Sequence, residues 1–210
     1  ELSLEDNDLK DSSILKSLKK LKILNLKGNE NLKGLKGLRS LKNIEELNIG
    51  NVGVSSLADL KGLKKLRKLN ISGVSLKNIN EIKNLPYLSM LDMSFSEKID
   101  LTPLQSLSKL KSLDLSESKV TDLSGLRSMK QLERLSINNL KAQDYTVIST
   151  LSGLKYFNCL ESSMSTLKPL DKLPMLLRVD VEGSKVPLSE VKRLKIEFAK
   201  RGKDIRINYD

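Results

Sequence analysis

Leucine or isoleucine opens the same short phrase at Leu21, Ile44, Leu66, Leu88, Leu110, Leu132, Leu154 and Leu176, one step of 23 residues followed by six of 22. Two periods coexist inside each phrase. Leu113-Asp114-Leu115 alternates apolar and polar positions, which predicts a short strand with one buried face, whereas Val120, Leu123, Leu126 and Met129 recur every third residue. A period of three fits neither a strand nor an α-helix and predicts a 3₁₀-like or extended return segment. The same spacing reappears at Val54, Leu57, Leu60 and Leu63 and at Met164, Leu167, Leu170 and Leu173. A unit this small cannot bury its apolar side alone. The chain is therefore expected to be a stack in which each unit covers the next and function belongs to an extended surface.

The period breaks after Gly183. From Pro187 to Gly202 the apolar residues Val191, Leu194 and Phe198 form one helical stripe, with proline at the start and glycine at the end, so a capping helix is expected. A last strand at Ile205–Ile207 should return to the sheet. This predicts one domain over residues 1–210, with repeats over 1–183 and a C-terminal cap over 184–210. Residue 1 falls inside a repeat phrase, Leu2-Ser3-Leu4, so an N-terminal cap or leader is expected to be missing from the numbered chain.

These phrases resemble the leucine-rich repeat. The 22-residue form with its Leu101-Thr102-Pro103-Leu104 and Leu167-Lys168-Pro169-Leu170 returns resembles the internalin-like bacterial subclass. The resemblance implies an α/β solenoid, an arc with a parallel concave sheet, short 3₁₀-like convex segments and a C-terminal helix plus strand. It also implies a non-enzymatic protein-binding scaffold, with host-directed roles in bacteria; an intracellular adaptor or enzyme-regulating subunit of the same fold is the alternative. The chain departs from the family at the buried asparagine ladder. Asn7 and Asn29 fit it, but Val52, Val74, Ser96, Ser118, Leu140, Ser162 and Ser184 follow. Valine and leucine cannot satisfy buried backbone groups, and Asn51 and Asn139, one place earlier, are the expected substitutes.

Composition narrows the chemistry. Histidine is absent and the single cysteine, Cys159, occupies an inward leucine slot, so no catalytic residue, metal site or cofactor is expected. No apolar run approaches the ~20 residues of a membrane-spanning helix. A secreted or cell-surface bacterial location is favoured over the cytoplasm. The net charge of +11 is concentrated: residues 13–85 carry 16 positive and five negative groups.

In each strand phrase the residue between the two inward positions should face outward, giving the column Ser3, Asn25, Asn48, Asn70, Asp92, Asp114, Ser136, Asn158 and Asp180. Asp92 and Asp114 are neighbours at a separation used by retaining glycosidases, but these residue types are ordinary in this slot and no cleft is implied. The column two places earlier reads Ile23, Glu46, Lys68, Met90, Ser112, Arg134, Tyr156 and Arg178. Its last three members predict an Arg-Tyr-Arg ladder, flanked by Asn158 and by Leu160, read as an exposed leucine on the concave sheet. Tyrosine and arginine are the types enriched at interface hot spots, so these five residues form the first candidate partner site. Met90 and Phe95 form the second. Lys61, Lys64, Lys65, Arg67 and Lys68, supported by Lys16, Lys19, Lys20, Lys36, Lys42 and Lys83, are expected on one flank as a candidate anion site. Few arginines and no interleaved aromatics argue against nucleic acid.

Overall fold

The computed structural model describes residues 1–209; Asp210, the last residue of the expected cap, lies outside the described residues. Ten short strands form one parallel sheet in strict sequence order: β1 (Leu2–Ser3), β2 (Ile23–Asn25), β3 (Glu46–Asn48), β4 (Lys68–Asn70), β5 (Met90–Asp92), β6 (Ser112–Asp114), β7 (Arg134–Ser136), β8 (Tyr156–Asn158), β9 (Arg178–Asp180) and β10 (Arg206–Asn208). The register follows the repeat: Lys68 pairs with Met90, Met90 with Ser112, Ser112 with Arg134, Arg134 with Tyr156 and Tyr156 with Arg178. The central residue of each strand from β2 to β9 is buried, so the leucine rows read from the sequence form one continuous core.

The period-three segments are 3₁₀ turns, eight of them among the described residues, packed turn against turn on the side opposite the sheet. Each needs an oxygen for its first free N–H. Asp100, Asp122 and Asp144 supply it from two residues back, accepting from the amides of Thr102 (2.9 Å), Ser124 (2.8 Å) and Thr146 (2.8 Å). Gly34 has no side chain to offer. In that turn it is the preceding amide, that of Leu35, that finds a side chain, donating to Asp59 of the following repeat at 3.0 Å. Neighbouring turns touch closely: a Cβ on Gly37 would stand 1.8 Å from the Ser12 carbonyl oxygen, so only glycine fits.

The residue just before each ladder position takes the left-handed conformation in every repeat from Asp6 to Gly183. Glycine, asparagine or aspartate fills six of these nine places, as that conformation favours; Phe95 (φ 57°), Glu117 (φ 59°) and Glu161 (φ 51°) fill the others at a steric cost.

Asn29 is fully buried and closes its turn as a family ladder residue would, its amide donating to the carbonyls of Leu4 and Leu26 (2.8 Å each) while its Oδ1 accepts from the Leu9 amide (2.9 Å). Later repeats use the backbone. The N–H of Val74, Ser118, Leu140, Ser162 and Ser184 donates to the carbonyl three residues back, at 3.0–3.3 Å, so the side chain there is free to be apolar. The expected substitution by Asn139 does not occur, because its amide points outward to Glu117 at 2.8 Å. In that repeat the working group is the Tyr145 hydroxyl, which donates to the Leu140 carbonyl at 2.8 Å, accepts from the Ala142 amide at 3.2 Å and meets Ser163 Oγ at 2.9 Å.

The capping helix α1 runs Leu188–Ala199 and buries Val191, Leu194 and Phe198 against the last repeat, as the stripe predicted. Its Arg193 bridges Asp171 (2.8 Å) and Glu190 (2.9 Å). Glu190 accepts from the Leu167 amide at 2.8 Å, which ties the helix to the preceding turn, and the arginine beside it holds its carboxyl down at about 2. The final strand lies one residue later than expected, Arg206–Asn208, and pairs with β9.

Candidate interaction surfaces

The outward columns of β2 to β9 line two shallow troughs. One, of about 490 Å³, runs over β2 to β6; the other, of about 370 Å³, is lined by Ser112, Arg134, Ser136, Tyr156, Asn158, Arg178 and Asp180. In the Asn/Asp column one side-chain oxygen has a structural task. Asn25, Asn48, Asn70, Asp92 and Asp114 each accept from the amide two residues on, at 2.8–3.1 Å, turning the chain out of its strand. That requirement explains why Asp92 and Asp114 stand side by side at the end of the first trough.

The neighbouring column carries the first candidate site, with two corrections. The Arg134 guanidinium lies 4.6 Å from the centroid of the Tyr156 ring, a cation–π contact on an open sheet face. Arg178 does not continue the stack. Its Nε reaches both oxygens of Asp180 at 3.0 Å, and the nearly buried Asp180 also accepts from Asn208, so the expected ladder is a stacked pair beside a pinned arginine. Leu160 is half-buried in the turn beyond β8 rather than exposed on the sheet, its N–H donating to Asn138 Oδ1 at 3.0 Å. Asn158 is half-buried at the end of β8 beside Tyr156. Met90 (44% exposed) and Phe95 (63% exposed) both face outward, but they flank β5 at opposite ends and do not form one patch.

The basic flank is also corrected. Lys68 belongs to the concave face, where it pairs with Glu46 at 2.8 Å, because it opens β4 and alternation turns it outward. Lys61, Lys64, Lys65 and Arg67 are exposed on the loop entering β4, and among the described residues none has a carboxylate within 4.0 Å. Lys64 and Lys65 reach only neutral oxygens, the Asn84 carbonyl (2.9 Å) and Asn43 Oδ1 (2.8 Å). Further along the same edge the pattern changes: Glu133 sits between Lys111 (2.7 Å) and Lys155 (2.9 Å), whose hydrogen bonds lower its carboxyl to about 2.

Sequence reading missed three groups. Tyr145 looks like any loop tyrosine until its hydroxyl partners are seen. Met175 and Leu177 are about half exposed on the edge entering β9, and Tyr87 (58% exposed) stands on the edge entering β5; the run of consecutive apolar residues Met175-Leu176-Leu177, where the repeat needs only Leu176, was the available signal.

Cys159 is fully buried, and desolvation pushes its thiol up to about 12, so it behaves as a core residue. Among the described residues no group of three or more His, Cys, Asp or Glu is arranged to hold a metal ion, and no helix is long and apolar enough to cross a membrane.

No protein-family model and no curated protein sequence matches the chain. Its fold has solved counterparts. An internalin from Listeria monocytogenes superposes with a TM-score of 0.82 at 22% identity, over 100% of this chain and 62% of that one. Internalin C2 from the same bacterium gives 0.72 at 28% identity, over 85% and 76%. The leucine-rich-repeat ectodomain of a plant membrane receptor kinase from Arabidopsis thaliana, in complex with Casparian strip integrity factor 2, gives 0.60 at 20%, over 88% and 27%. The chain thus spans less than two thirds of the first internalin. Ten parallel strands, 3₁₀ returns and these counterparts establish an internalin-like leucine-rich-repeat solenoid.

Proposed function

We propose that this solenoid is a non-enzymatic interaction module that takes a protein partner on the second half of its concave face, in a bacterial, host-directed setting. The observation that carries the reading is the Arg134–Tyr156 stack, an aromatic platform and a cation held together on adjacent rigid strands. Rigidity lowers the ordering cost of binding, and a preformed cation–aromatic pair offers contact area and charge together. A partner presenting a carboxylate beside an apolar side chain would match it. Arg178, already satisfied by Asp180, is a lesser contributor. The plant receptor solved with its factor is an example of this fold engaging a protein ligand, and the two internalins favour a bacterial source.

Affinity capture from candidate host lysates, followed by calorimetry with the captured protein, tests the reading. Tyr156→Ala should weaken the complex by roughly 2 kcal/mol with thermal stability preserved, and Arg134→Ala by somewhat less. Unchanged affinity in both variants would move the site to Met90 or Phe95.

A further inference from the structure

Cations recur in register over the ends of the 3₁₀ turns and the loops that lead from them to the strands, and they do so only in the first part of the array. One row is Lys16, Arg39, Lys61 and Lys83, each one repeat after the last; a second is Lys19, Lys42 and Lys64. All are exposed. Arg39 alone has a counter-ion, Asp59 at 2.6 Å; among the described residues the others have no carboxylate within 4.0 Å. The equivalent places in later repeats hold Gln105, Arg127, Ser149 and Asp171, and Pro86, Ser108, Lys130, Ser152 and Pro174. Like charges on adjacent repeats repel, so the rows work against folding, and a simple solubility requirement would not confine them to consecutive repeats.

We infer that this flank is a second binding site, for a linear anionic glycan bearing sulfate or carboxylate groups. Strands lie about 4.8 Å apart, so Lys16 to Lys83 spans roughly 15 Å in three steps, each close to the advance of one sugar ring in an extended polysaccharide. Lysine ammoniums are compact point charges that suit scattered sulfates; paired phosphate contacts would favour arginine's planar fork. Tyr87, exposed at the place Lys65 holds one repeat earlier, offers a flat ring at the end of the rows against which a pyranose face can rest. A lone aromatic is too few for a run of stacked bases, and the exposed aliphatic side chains beside the rows, Ile14 and Leu18, are confined to the first repeat, too few to anchor the flank in a bilayer. The site lies on the ends of the 3₁₀ turns and the loops after them, away from the outward columns of the sheet, and is independent of the concave-face reading.

Heparin serves as the probe. Lys16→Gln, Lys61→Gln, Lys64→Gln and Lys83→Gln together should weaken heparin binding at physiological salt by roughly tenfold or more and flatten its salt dependence. The equal charge change at Lys109, Arg127, Lys130 and Lys172 should alter it less than about twofold, since the effect depends on the rows and not on net charge. The pair Lys61→Gln and Lys64→Gln gives a milder variant if the quadruple one is poorly folded. Equal losses in both quadruple variants overturn the inference, as does heparin binding no stronger than that of an unrelated protein of the same net charge. Tighter, row-dependent binding to phosphatidylserine-containing vesicles or to single-stranded DNA overturns it in favour of those ligands.

Discussion

In the second repeat the buried turn is closed by Asn29, whose amide reaches the Leu26 carbonyl of its own repeat and the Leu4 carbonyl of the first, and whose oxygen takes the Leu9 amide of the first. In the seventh, Leu140 stands in that place and Tyr145, five residues on, brings in the missing group. The need at the start of a 3₁₀ turn is met from the other side: the Leu35 amide by Asp59 of the third repeat, the Leu167 amide by Glu190 of the capping helix. The repeat therefore keeps a hydrogen-bonding requirement while the residue that meets it changes. The second repeat takes partners from both neighbours; the seventh closes its buried turn from within, and the eighth relies on the cap.

That contrast is most easily broken at the cap. Val191→Asp with Phe198→Asp places two charges against the last repeat and should cost upward of about 4 kcal/mol. Hydrogen exchange should report the loss first over β8 to β10, with amides around Asn29 still protected; uniform loss along the chain would show that the halves do not differ. Asn29→Ala should come next, at about 3 kcal/mol, because the Leu4 and Leu26 carbonyls and the Leu9 amide all lose their partner and no nearby side chain replaces it. Tyr145→Phe removes only a hydroxyl and should cost about 1–2 kcal/mol by denaturant unfolding. A larger effect for Tyr145→Phe than for Asn29→Ala would reverse the assignment.

The smallest effect concerns acid. Glu190 is held near 2 in the folded chain against an ordinary 4.5, with the Arg193 hydrogen bond the largest cause. A depressed carboxyl stabilises above its unfolded value and loses that contribution as pH falls toward the folded one. The thermal-stability advantage of the natural chain over Glu190→Gln should thus be full near neutrality and shrink between about pH 4.5 and 2.

The fold was legible because burial in a repeat is periodic. Leucines three apart announced the 3₁₀ returns, and alternation around Leu113 and Leu135 set the outward columns, including the adjacency of Arg134 and Tyr156. What escaped was the partner each polar side chain takes, within a repeat as much as between repeats. Nothing local says that Arg178 will turn to Asp180, that Lys68 will find Glu46, or that the Tyr145 hydroxyl will reach Leu140. The left-handed backbone of the exposed Phe95, a cost with no packing return, is visible only in the dihedral.

The strict sequence order of the sheet bears on how the molecule forms. Each strand pairs with the one about 22 residues later in a chain of 210, a relative contact order near 0.1. That is the range of helical bundles, although the product is a ten-stranded parallel sheet, an architecture ordinarily slow to assemble. No loop longer than one repeat has to close before the next contact stabilises it. Folding is free to begin at any interior repeat and advance in both directions, and partial opening under native conditions should start at the ends and move inward one repeat at a time.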